Sequence, residues 1–333
     1  MVVTWTTLCP TKSTEVMYGE IELIDLARGS VKKFVDGGAL KREIYIHRVF
    51  LKNLKPAKTY KYSCGNNNIW SKVYEFTTIK SGNDWSPRIV LIGDLGVENG
   101  RSLPFLIEDV KNKFYDILLH DAINNNARVG DEYMRRIEPI AANLPYMVCP
   151  GNHEYKYNFS NYDNRFSMIN QADGTISNHF YSFDICPAHI ISFSTEFYYF
   201  TKFGTGQLLT QYQWLENDLI EANKPKNRAE RPWIITMGHR PMMCSNENGD
   251  DCTKKESRVR KRMPLTREYA LEDLFFKYGV DISLWGHEHS FERLWPMYNM
   301  KVYNGSLEQP YKNPKAPIHI ISGYAVSVIS IEI

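Results

Sequence analysis

Ile89-Val-Leu-Ile-Gly93-Asp94 joins a run of four apolar residues to a glycine and a carboxylate, and three later stretches end in a similar way. They are Tyr146-Met-Val-Cys-Pro-Gly151-Asn152-His153, Trp233-Ile-Ile-Thr-Met-Gly238-His239 and Ile282-Ser-Leu-Trp-Gly286-His287-Glu288-His289. Short apolar runs bounded by turn signals fit strands buried on both faces. From Arg88 onward they alternate with helical patterns over residues 102–113, 131–142, 208–223 and 271–278, which predicts an α/β layer architecture. In an open α/β sheet, ligands bind outside the carboxyl ends of the strands, so the four polar tips are expected to meet in one crevice. Each glycine lets the chain leave its strand at unusual φ and ψ.

Residue type narrows the chemistry. Imidazole together with carboxylate suits zinc, iron or manganese, whereas a magnesium or calcium site is built from oxygen. Taken singly, each element has a plain structural reading. Asp94 reads as a helix cap, Asn152 as a turn residue and His239 as a hydrogen-bonded structural histidine. His287 and His289 share a face if their segment is extended. Taken together, the four endings predict a shared metal site.

The remaining composition excludes several classes. The chain has 333 residues, 43% hydrophobic and 23% charged, with 40 basic against 38 acidic side chains and a net charge of +2. That is ordinary globular composition, and the length predicts two or three domains. Basic residues are scattered, with one dense cluster at 254–262 that reads as a solvated surface, so no nucleic-acid face is expected. No run of about 18 apolar residues is present, so no membrane span is expected.

Residues 1–79 show period-two patterning broken by Gly, Asn and Pro, with short strands expected at 2–6, 15–24, 45–51, 59–64 and 73–77. This predicts a β-sandwich that supports the rest. Leu54-Lys-Pro-Ala-Lys-Thr-Tyr60-Lys-Tyr62 resembles a strand start of fibronectin type III domains, where a tyrosine hydroxyl ties the corner to nearby backbone. Turn-rich Ser81-Gly-Asn-Asp-Trp-Ser-Pro87 makes a linker. Residues 87–294 then form the α/β domain, and 295–333 its loop-rich C-terminal segment, with one apolar run at 318–322. Six cysteines include Cys244 and Cys252, which bracket a polar loop that a disulfide could close, and Asn158 and Asn304 open N-glycosylation sequons. Both features lean toward a secreted or lysosomal protein, with a cytosolic chain of six reduced thiols as the other reading. Val2-Val-Thr-Trp-Thr-Thr reads as a strand rather than a signal peptide, so the chain is expected to begin inside a domain.

Gly93-Asp-Leu-Gly, Gly151-Asn-His-Glu, Met237-Gly-His and Gly286-His-Glu-His, in this order, resemble the purple acid phosphatases among the calcineurin-like metallophosphoesterases, nearest the animal iron/zinc type. The resemblance extends over almost the whole chain, including the N-terminal sandwich. It implies a mixed-sheet α/β catalytic domain and a dinuclear iron and zinc centre, the second metal being zinc, iron or manganese. By matching motif positions, Asp94 and His289 would hold the ferric ion and Asn152, His239 and His287 the divalent one. His153 would hydrogen-bond substrate phosphate and protonate the leaving oxygen, with Glu154 orienting a neighbour. The implied reaction is hydrolysis of a phosphomonoester, small or carried on a phosphoprotein, by metal-bound hydroxide.

One block departs from the family pattern. Its Gly-Asp-x-x-Tyr segment, which supplies a carboxylate bridging both metals and a tyrosinate on iron, is absent after Tyr115-Asp-Ile-Leu-Leu-His120. Asp121 stands near the expected place, without the glycine before it or a tyrosine three residues on. Gly130-Asp131-Glu-Tyr133 is one residue short and reads instead as the start of a helix with Asp131 as N-cap. The first metal is then expected to be held weakly. This departure, with the abrupt start and short end, is expected of an incomplete or alternatively spliced gene product. The alternative function is a catalytically impaired relative acting as a binding protein. A phosphodiesterase or nucleotide pyrophosphatase on the same core is a further alternative.

Overall fold

The computed structural model describes residues 1–98, 100–121, 127–170, 174–261, 268–323 and 329–332. Eight strands precede residue 79: β1 (Val2–Thr7), β2 (Glu15–Gly19), β3 (Asp25–Arg28), β4 (Ser30–Val35), β5 (Glu43–Phe50), β6 (Thr59–Asn66), β7 (Ile69–Trp70) and β8 (Tyr74–Thr77). They form two antiparallel sheets, β1-β5-β4 and β3-β2-β6-β7 with β8 on β6. Val3, Val16, Val49, Tyr60, Tyr62 and Phe76 share one core from both sheets. Tyr60 ties its corner as expected, its hydroxyl accepting from the Lys55 N–H at 3.0 Å. The strand expected over 15–24 stops at Gly19, because the chain reverses and returns as β3 against β2.

From Arg88 the elements run β9 (Arg88–Gly93), α1 (Leu103–Lys111), β10 (Ile117–Asp121), α2 (Ala127–Ala141), β11 (Tyr146–Cys149), α3 (Ser160–Arg165), β12 (Tyr181–Ile185), β13 (Ala188–Ser192), α4 (Gly206–Ala222), α5 (Pro225–Glu230), β14 (Trp233–Met237), α6 (Leu271–Lys277) and β15 (Ile282–Trp285). Then come β16 (Phe291–Arg293), the hairpin β17 (Met297–Tyr298) and β18 (Lys301–Val302), β19 (Ile318–Ser322) and β20 (Ile329–Glu332). The strand endings fall in two sheets, in keeping with the mixed-sheet architecture expected. β11-β10-β9-β20 is parallel apart from β20, and β12-β13-β14-β15-β19-β16 is parallel across its centre with antiparallel edges.

Alternation explains the stacking. Ile190, Ile235, Met237, Ile282, Leu284, Ile318 and Ile320 face the same core as Ile89–Ile92 of β9, so the two sheets pack face to face. Their neighbours Ile191, Ile234, Trp285 and Ile321 face the opposite way, onto Leu208, Leu215 and Leu219 of α4 and Leu271, Leu274 and Phe275 of α6. Among the described residues no helix is long and apolar enough to cross a membrane.

Two further expectations are corrected. Helix α2 begins at Ala127, so Asp131 lies inside it and caps nothing. Its carboxylate instead accepts from Arg42 of the N-terminal sandwich at 2.7 Å and from Arg165 of α3 at 2.8 Å. Arg48 docks the same two parts, donating to Ser167 Oγ and to the Asn164 carbonyl. The basic stretch at 254–262 is not wholly solvated either. Arg260 is buried against the equally buried Glu272, Nη1 to Oε2 at 2.9 Å, because an interior carboxylate needs a cation; Arg262 lies outside the described residues.

Candidate metal centre

The four strand-glycine endings deliver their polar side chains where the carboxyl edges of the two sheets meet. Beyond β9, Asp94 sits at φ +54°, and beyond β15, His287 sits at φ +66°. Aspartate and histidine are among the few residues that tolerate this region, and such backbone clusters at functional sites. The pairing of β14 with β15 continues past both strands, Gly238 N donating to the Leu284 carbonyl and Gly286 N to the His239 carbonyl. His239 is thereby set beside Gly286-His287. Gly323, just past β19, passes so close that a Cβ there would lie 2.1 Å from the Glu288 carbonyl oxygen and 2.9 Å from Asp94 Oδ2.

Four of the expected ligands come together. His239 Nε2 lies 2.7 Å from Asn152 Oδ1 and 3.1 Å from His287 Nδ1, and the His287 N–H donates to Asp94 Oδ2 at 2.7 Å. His153 and His289 stand at the exposed rim, outside the set of hydrogen-bond-length contacts that joins the other four. Glu154 is buried and orients the Asn152 turn, its Oε2 accepting from the Gly151 N–H at 2.6 Å. Asn158 is exposed, and Asn304 is half-buried with its amide donating to the Ser306 carbonyl.

The electrostatics favour neutral rings with available lone pairs, the form that binds a cation. Burial lowers the pKa of His239, with Arg240 and His289 adding to the fall against Asp94 and Glu196. Burial, His239 and Arg240 push His287 down to about 3. His153 is lowered by burial and by the neighbouring cationic groups. Around a tetrahedral zinc with bonds of about 2.0–2.1 Å, adjacent ligand atoms stand about 3.3 Å apart. His239 Nε2 stands near that distance from both Asn152 Oδ1, at 2.7 Å, and His287 Nδ1, at 3.1 Å, so the donor set suits such an ion.

Nearby residues add a polar frame that the motifs did not reveal. Asp250, His287 and Glu288 bring ligand-type atoms within 4.8 Å of one another, and Arg240 Nη1 lies 2.8 Å from His287 Nε2. Arg240 follows His239 directly, which was the available signal; Asp250 lies in a polar loop with no periodic pattern. That loop is closed by the Cys244–Cys252 disulfide, leaving Cys9, Cys64 and Cys186 as free thiols.

In the block that departs from the family pattern, His120 ends deep in the core. Its Nδ1 lies 2.9 Å from Tyr133 Oη and 2.7 Å from Tyr146 Oη, so Tyr133 is a core partner of His120. Asp121 closes β10, but its side chain and residues 122–126 lie outside the described residues.

A two-domain chain whose stacked mixed sheets gather Asp, Asn and His at their carboxyl edges defines a metallophosphoesterase. Residues 87–291 match the model for calcineurin-like phosphoesterase, and residues 1–78 that for the purple acid phosphatase N-terminal domain. Acid phosphatase type 7 of Mus musculus and that of Homo sapiens are each 54% identical over 334 residues, covering 98% of this chain and 74% of theirs. The solved purple acid phosphatase PPD1 of yellow lupin superposes with a TM-score of 0.75 at 25% identity, covering 100% of this chain and 63% of that one. The chain belongs to the purple acid phosphatases, hydrolytic enzymes that act on phosphoesters through a metal centre.

Proposed function

We propose that the chain hydrolyses phosphomonoesters, small or borne on a phosphoprotein, in mild acid through a dinuclear iron and zinc centre. The observation that carries this reading is the convergence of Asn152 Oδ1, His239 Nε2 and His287 Nδ1, three ligand atoms from both sheets. These residues would hold the divalent metal, which is zinc, iron or manganese, and Asp94 with His289 would hold iron. When bound, the metals supply Lewis-acid polarisation of phosphoryl oxygens and an acidified water. The chain's own residues do the rest. Asp94 anchors the His287 backbone, while Glu154 fixes the turn that presents Asn152. His153, exposed beside Asn152, would offer an imidazole N–H to a phosphate oxygen and, in its protonated form, a proton to the leaving oxygen. A secreted or lysosomal setting fits the disulfide and the exposed sequon at Asn158.

A second reading rests on the absence of a Gly-Asp-x-x-Tyr segment between His120 and Tyr133. Without a bridging carboxylate, two nearby cations lose the anion that offsets their repulsion, leaving a catalytically impaired binding protein. Turnover of p-nitrophenyl phosphate at mild acid pH, with iron and zinc added or withheld, decides between the two. Turnover that His287→Ala abolishes supports the enzyme; no turnover under any metal condition favours the impaired form. Faster hydrolysis of a diester substrate would instead indicate a phosphodiesterase.

A further inference from the structure

The loop from Cys244 to Cys252 folds its polar side chains onto Gly286-His287-Glu288. Asn246 and Asn248 donate their amides to Glu288 Oε2 at 2.5 and 2.6 Å. Asp250 Oδ2 lies 2.6 Å from His287 Nε2, and the Asp251 N–H donates to the other oxygen, Oδ1, at 2.6 Å. The same loop is covalently closed at its base, eight residues apart in sequence. Its grip falls on both side chains that follow the glycine.

His287 uses its two ring nitrogens for different purposes. Nδ1 faces the cluster, 3.1 Å from His239 Nε2, and can bind a cation only with its lone pair free. A neutral imidazole must then carry its proton on Nε2. Two groups compete for that atom, Asp250 Oδ2 at 2.6 Å and Arg240 Nη1 at 2.8 Å. Carboxylate oxygen only accepts and guanidinium only donates, so one contact is a hydrogen bond and the other a close neighbour. The shorter contact is to the carboxylate, and Arg240 is otherwise engaged with Glu196, Nε to Oε1 at 3.2 Å. Arg240 Nη1 also lies 4.0 Å from Asp250 Oδ1, so the guanidinium flanks the carboxylate as a counter-charge.

We propose that Asp250, delivered by the disulfide-closed loop, is a positioning residue that holds the His287 proton on Nε2 and so aims a free Nδ1 at the divalent metal. This rests on the reading that Asn152, His239 and His287 hold that metal. Partners on the far nitrogen of a ligating histidine fix its tautomer and orientation, and their loss typically weakens metal affinity about 10- to 100-fold.

The test is zinc titration of the full chain, stripped of metal, against a chromogenic chelator. Asp250→Ala is expected to weaken zinc about 10- to 100-fold. Asp250→Asn, whose amide oxygen still accepts from Nε2, is expected to recover part of the loss. Matching urea unfolding curves for the stripped variants would place the loss at the site rather than in the fold. Wild-type zinc affinity in Asp250→Ala, or an Asp250→Asn variant no better than it, would overturn the assignment. His287→Ala separates the two levels: if it keeps wild-type zinc affinity, the metal-site reading itself fails, whatever Asp250 does.

Discussion

Replacing Gly323 by alanine adds one methyl group at the crossing between the two sheets, and the structure sets the size of the disturbance. That Cβ would stand 2.1 Å from the Glu288 carbonyl oxygen, where ordinary contact begins at 3.4 Å. The obstacle is backbone, so it cannot swing aside as a flexible side chain would. Relief requires the 286–289 segment to retreat by about 1.3 Å, and a misplacement of about 1 Å at an active site costs on the order of 100-fold in rate. Asp94 Oδ2, 2.9 Å from the same methyl and bonded to His287 N, moves with it. Overpacking strain of this kind costs about 1–3 kcal/mol. The expected outcome is therefore a large fall in phosphatase kcat and in zinc affinity with only a modest loss of stability. Urea unfolding, steady-state kinetics and chelator competition measure the three quantities. Gly206→Ala, with open space around its Cβ, is the matched control. If Gly323→Ala keeps wild-type zinc affinity, Gly323 does not control the geometry of the cluster.

His189 supplies a pH-dependent prediction away from the site. Burial alone would lower its pKa, but hydrogen bonds to Asp184 and Asp218, with their charges, outweigh burial and hold it at about 9. Because this exceeds the unfolded value of 6.5, the stabilisation is complete below about pH 6.5 and is lost as pH rises through about 9. The stability difference between wild type and His189→Gln should shrink by on the order of 2–3 kcal/mol between pH 6 and 10, and a flat difference in urea unfolding would refute it. Glu272→Ala strands the buried Arg260 cation and removes the acceptor of Lys261 Nζ at 2.7 Å, and is expected to cost about 3–5 kcal/mol, whereas replacing both Arg260 and Glu272 by methionine should recover most of that loss. A double variant as damaged as the single one would show that packing, not charge, holds that corner.

The cluster was legible in the sequence because each of its four candidate ligands follows a strand and a glycine, a purely local pattern. Asp94, Asn152, His239 and His287 needed no knowledge of pairing to be singled out. Their distribution over two sheets was not legible, since strand order depends on contacts between residues far apart in the chain. Tyr60 could be read because its bond to Lys55 spans five residues. Asp131 was misread as a cap because its true partners, Arg42 and Arg165, lie on other elements. Arg260 was misread for a similar reason: a basic stretch looks solvated until the interior carboxylate that meets it is known. Asp250 carries no periodic signal at all, and its relation to His287 emerges only once the loop is folded over the strand end.

The bond from His287 to Asp94 joins residues 193 positions apart. Closing so long a span comes late in folding, because contacts distant along the chain are reached after local ones. A nascent chain therefore offers no formed cluster to any ion until β15 has been synthesised and placed. Any cation would then be captured only after the stacked sheets have assembled, and would act as a lock on a scaffold already standing rather than as its nucleus.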